Sequence, residues 1–141
     1  MQSMFSMFVR AGAIWLLILV VAFANGAARE LLLIPRLGRA PGLFLSGILL
    51  STAIIVLAFS SVRWIRPQSL ANAWRVGGFW FAATLVFEFG MGWAQEKPLR
   101  ELLDAYAFRD GNTWPLVVLA TVLAPRLAYQ WRKPAAPEVV E

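Results

Sequence analysis

Leu43–Val62 runs for 20 residues without a charged side chain. A helix of about 20 apolar residues is what the hydrocarbon core of a bilayer demands. Other stretches of the chain read in the same way. Ala11–Ala24 carries no charge, Val76–Trp93 carries only Glu88, and Trp114–Trp131 carries only Arg126. The pattern predicts an all-α membrane protein with four transmembrane helices at about 5–34, 43–62, 71–93 and 114–131. Together they form one domain over residues 1–133, and the Pro/Ala-rich stretch 134–141 reads as a disordered tail. Composition agrees: 60% of the 141 residues are apolar and only 15% are charged, against about 25% charged in soluble domains. A soluble enzyme, a disordered chain and a water-soluble receptor domain are excluded on this ground.

Boundaries follow from local chemistry. Pro35 is expected to end the first helix, because the residue before a proline is pushed out of helical geometry. Pro35–Gly42 then reads as a basic turn. Ala22-Phe23-Ala24 also fits a signal-peptide cleavage site, but the apolar run resumes at Leu31–Ile34, which favours one long helix. Pro67 stops the second span, and Ser69 is placed to cap the third. Leu99, Leu102, Leu103 and Tyr106 fall at i, i+3, i+4 and i+7, so a short amphipathic helix on the bilayer surface is expected at about 98–108. Asp110–Thr113 reads as a turn, and Pro125-Arg126 as an interruption of the fourth span.

Cys and His are absent. That leaves no disulfide, no thiolate metal site and no histidine ligand, so no metal and no cofactor is expected. The net charge of +5 is scattered among loops, which suits interfacial contact with anionic lipid rather than nucleic acid. Of the 13 Lys and Arg, seven lie on the amino end, the 63–75 loop and the tail, five lie on the other two loops, and Arg29 is intramembrane. The positive-inside rule then puts both termini in the cytoplasm.

Depth brings the unusual residues together. Asn25 lies 15 residues beyond Arg10, about 22 Å along a helix, and Glu88 lies 13 beyond Arg75, about 20 Å. Spans one and three run in the same direction, so Asn25, Arg29, Glu30 and Glu88 share a leaflet with the 94–113 segment. A lone charge at that depth costs several kcal/mol, and pairing of Arg29 with Glu88 is the economical solution. The predicted site is therefore an intramembrane cluster of Asn25, Arg29, Glu30, Thr84 and Glu88 between spans one and three. Glu101, Asp104, Tyr106 and Arg109 are candidates to roof it. Each has a plainer reading as helix–helix glue or interfacial charge, and no catalytic residue is assigned.

Asn25-Gly26-Ala27-Ala28-Arg29-Glu30, Glu88-Phe89-Gly90-Met91-Gly92 and Asp104-Ala105-Tyr106 form a pattern that resembles small bacterial four-span inner-membrane proteins of this length. The resemblance covers roughly residues 10–131. It implies the architecture and an inner-membrane location, and carries no activity with it. Transport of a small ion or solute by an oligomer is one expectation, with Glu88 as the titrating group. The alternative is a non-catalytic accessory or assembly subunit of a larger membrane complex. A lipid-binding or lipid-modifying protein is a third. Lipids are expected partners in each case, with a homo-oligomer or a larger complex beside them.

Overall fold

The computed structural model describes residues 3–132, and the expected tail at 134–141 lies outside them. The described chain is helical with short connections and no strand. Helix α1 (Met4–Ala28) begins at Ser3, whose side chain accepts the Ser6 N–H, one of the orphan donors of a helix start. It continues through a π-helical turn (Arg29–Leu33) into α2 (Ile34–Leu37), giving a rod of 34 residues.

The expected stop at Pro35 is corrected here. The Ile34 N–H bonds to the Arg29 carbonyl, five residues back, and Pro35 sits in the first turn of α2. A proline N–H is not needed there, so the rod passes through. Gly38 ends it instead, at φ 92, where a side chain would be strained. The basic turn shrinks accordingly, because α3 (Arg39–Ile65) takes up Arg39–Gly42.

Helix α3 stops as expected, with Arg66 left-handed at φ 57 and Pro67 behind it. Ser69 caps α4 (Leu70–Ala94) by accepting the Asn72 N–H at 3.1 Å. The surface helix α5 (Leu99–Asp104) is shorter than the expected 98–108. Leu99 and Leu103 face outward, while Leu102 packs on Gly92. Helix α6 (Trp114–Arg132) is continuous across Pro125, against the expected interruption. Pro125 is buried, so packing holds the turn that its missing N–H would weaken.

Four long helices pack around a square, each against two neighbours, in the order α1, α3, α6, α4. Residue pairs fix the directions. Arg10 meets Trp64 and Asn25 meets Ser46, so α1 and α3 are antiparallel. Ala11 meets Trp80 and Trp15 meets Thr84, so α1 and α4 run in the same direction, as the depth argument requires. The interior is closed and mostly apolar, with the small hydroxyls of Ser46, Ser51, Ser61 and Thr121 buried among the apolar side chains. Trp80, Met7, Ile54, Val76 and Val117 fill it from all four helices, with Trp80 at 0% exposure. Small residues set the spacing: Gly77 lies directly on the Val122 backbone of α6, and Gly47 on the Thr113 side chain.

Two of these helical segments, Met4–Leu37 and Arg39–Ile65, are long and apolar enough to cross a membrane. Their outer faces carry large apolar side chains in the open, among them Leu16, Val20, Phe23, Leu49 and Val56. A continuous exposed surface of this kind suits lipid rather than water.

Candidate functional site

Glu88 is the one carboxylate within α4, and its partners come from the far end of the chain. Its Oε2 accepts the Tyr106 hydroxyl at 2.7 Å and the Trp114 indole N–H at 2.9 Å. Tyr106 in turn stacks on Phe89, with centroids 6.1 Å apart and planes 13° from parallel. One carboxylate thus ties the segment after α5 and the start of α6 onto α4. Hydrogen bonds of this kind are worth about 0.5–1.5 kcal/mol each.

Asn112 holds the donors in place. Its Nδ2 donates to the carbonyls of Ala105 at 2.6 Å and Ala107 at 3.1 Å. Its Oδ1 accepts the Trp114 backbone N–H at 3.1 Å. The side chain therefore closes the turn that carries Tyr106 and fixes the entry of α6 that carries Trp114. Gly111, at φ 82, packs on the Ala40 carbonyl with no room for a Cβ. Thr113 follows, and its carbonyl accepts from Leu116 and Val117 to start α6. Burial and the bond to Glu88 push the Tyr106 phenol up to about 12, so it remains a protonated donor throughout the physiological range.

Among the expected site residues, Tyr106 alone of the four roof candidates reaches Glu88; Glu101, Asp104 and Arg109 are exposed. Arg29 does not meet Glu88. It pairs with its neighbour Glu30 at 3.2 Å, on the surface, and this is the one salt bridge among the described residues. An exposed pair of this kind contributes about 0–1 kcal/mol. Asn25 donates to the Ser46 hydroxyl at 2.8 Å and carbonyl at 3.2 Å, joining α1 to α3. Thr84 accepts the Trp15 indole N–H at 3.1 Å and donates to the Trp80 carbonyl at 2.7 Å, joining α4 to α1.

The expected polar space between α1 and α4 is filled by rings. Phe8 meets Phe79, and Trp15 and Phe23 both meet Phe87, edge to face at 5.7–6.2 Å. Such pairs add about 0.5–1.5 kcal/mol each beyond burial. Sequence reasoning missed Asn112 and Trp114. Trp114 reads as an interfacial belt residue, and only its position beside the start of a span hinted that it could turn back to a helix neighbour.

Among the described residues no three Asp or Glu gather in a metal-holding group. No family model, curated protein or solved structure matches the chain.

Proposed function

We propose that the chain is a four-span integral membrane protein of the bacterial inner membrane, with both termini cytoplasmic, serving as a non-catalytic accessory or assembly subunit of a larger membrane complex. Length supports the two further spans: α4 has 25 residues and α6 has 19, about 37 and 28 Å of helix, against about 30 Å of hydrocarbon. Val86, Leu116 and Leu119 give both an outward apolar face. Orientation rests on Arg10, Arg63, Arg66, Arg75, Arg126 and Arg132, which gather at one end, where no Asp or Glu of the described residues lies. A cytoplasmic face carries such an excess.

The observation that carries the accessory reading is how the polar groups are engaged. Asn25, Thr84 and Glu88 each hydrogen-bond to another part of the bundle, and nearer the cationic end the fully buried Trp80 fills the interior at the depth of Ala11. A solute path through one protomer would have to break those bonds and displace that ring. The purified protein in liposomes is therefore expected to give no proton, potassium or halide flux above that of empty vesicles. Extracted in mild detergent, it is expected to migrate with a larger membrane subunit in fixed ratio. A flux that Glu88→Gln abolishes in a folded protein overturns this reading in favour of a small-ion channel.

A further inference from the structure

The cationic end of the bundle contains a groove of about 400 Å³, formed where the end of α3 meets the end of α6. Arg63, Arg66, Arg132, Gln68 and Tyr129 line it, over a floor that includes Val62 and Pro67. We propose that this groove binds the phosphate of an anionic phospholipid headgroup, with the three guanidinium groups as its ligands.

Charge is the first argument. Among the described residues no hydrogen bond or ion pair engages the guanidinium of Arg63, Arg66 or Arg132, and the one salt bridge lies at the opposite end. Three like charges facing one concavity repel each other, and an anion between them relieves that repulsion. Guanidinium groups match phosphate oxygens in bidentate geometry and are less strongly hydrated than ammonium groups. The neighbouring arginines are held apart from the groove by aromatic rings: Arg10 lies over Trp64 at 5.7 Å and Arg126 over Trp74 at 5.5 Å.

Backbone geometry is the second argument. Arg66 adopts φ 57, a left-handed helix end where glycine is the ordinary occupant. An arginine there bears a steric penalty that glycine would avoid, and strain of this kind concentrates where a side chain has a task. The Arg66 carbonyl also accepts the Gln68 side-chain N–H at 3.2 Å, which fixes the lip of the groove.

Position is the third. Trp64 and Trp131 adjoin Arg63 and Arg132 in the chain and are 49% and 79% exposed, as tryptophans at the headgroup level are. The buried Val62 and Pro67 give the floor an apolar surface suited to the glycerol and first methylenes of a lipid. Basic pockets between spans on the cytoplasmic side have this chemistry.

The test uses the full-length protein in a neutral detergent, with binding measured calorimetrically. The probes are dioctanoyl phosphatidylglycerol, dioctanoyl phosphatidylcholine and inorganic phosphate. Phosphatidylglycerol is expected to bind at least tenfold more tightly than either of the others, and to weaken as salt is raised. Arg66→Gly, which suits the backbone better than arginine and so preserves the fold, is expected to weaken it about fivefold, the equivalent of about 1 kcal/mol per arginine. Arg63→Gln with Arg132→Gln is expected to weaken it about 25-fold. Equal binding of the two lipids, or full binding by Arg66→Gly and by the double variant, overturns the proposal. Inorganic phosphate binding as tightly as phosphatidylglycerol overturns the lipid assignment.

Discussion

Gly77→Ala is expected to destabilise the folded bundle by about 1–3 kcal/mol, while Gly78→Ala leaves it unchanged or gains up to about 1 kcal/mol. The two glycines are adjacent on α4 and differ in what a methyl group would meet. At Gly77 it would collide with the Val122 carbonyl oxygen and come within 3.0 Å of the carbonyl carbon and 3.2 Å of the Cα. All three are backbone atoms of α6, so no rotamer can clear the space. Relief requires α6 to move off α4, along one of the most extensive helix contacts in the molecule. At Gly78 nothing lies within 4 Å of the added carbon, and only the better helix propensity of alanine remains. Close backbone approach at small residues is a general source of helix association in membranes. Reversible unfolding in mixed micelles measures both variants, and equal stabilities would contradict the packing described here.

Loss of the Glu88 carboxylate is expected to release the segment between α4 and α6. In Glu88→Ala the Tyr106 hydroxyl and the Trp114 indole N–H both lose their acceptor. Half-buried donors left unpaired cost about 1–3 kcal/mol in total when water reaches part of the site. Hydrogen exchange should therefore rise across 99–113 while α1 and α3 remain protected. Tyr106→Phe should show a smaller rise in the same segment. Combined with Glu88→Ala it should add less than its separate effect, with a coupling of about 0.5–3 kcal/mol. Unchanged exchange across 99–113 in Glu88→Ala would sink the assignment of Glu88 as a clasp.

Much of the helical framework is legible in the sequence. The charge-free run Leu43–Val62, the Ser69 cap and the Pro67 stop each have a local cause, and each acts in the structure as local physics requires. Depth is legible too, since it follows from counting residues along parallel helices. Asn25, Glu88 and the 104–114 segment do share one end of the bundle. Rotation about each helix axis is what the counting leaves out. Asn25 faces α3, Glu88 meets donors carried by the start of α6 and the segment before it, and α1 and α6 are not neighbours. Arg29 is still in α-helical geometry, its N–H bonded to the Asn25 carbonyl four residues back, so it stays on the side of the rod that Asn25 turns to α3 rather than to Glu88. The prolines mislead for a related reason. Pro35 follows a π-helical turn and stands in a first helical turn where its N–H is not needed, and Pro125 is buried within α6, where packing holds the turn. Asn112 is invisible beforehand because its three bonds run to backbone atoms that only the folded turn brings together.

The four-span reading is the claim on which the rest depends, and side-specific labelling tests it most directly. The chain has no Cys of its own, so single cysteines report without a background. Ser3→Cys and Gln68→Cys are expected to react with an impermeant maleimide only after the cytoplasmic face is opened. Arg39→Cys and Asp104→Cys are expected to react from the outside in intact cells. Labelling of Gln68→Cys and Asp104→Cys from the same side would mean that α4 does not cross the bilayer, and would contradict the account.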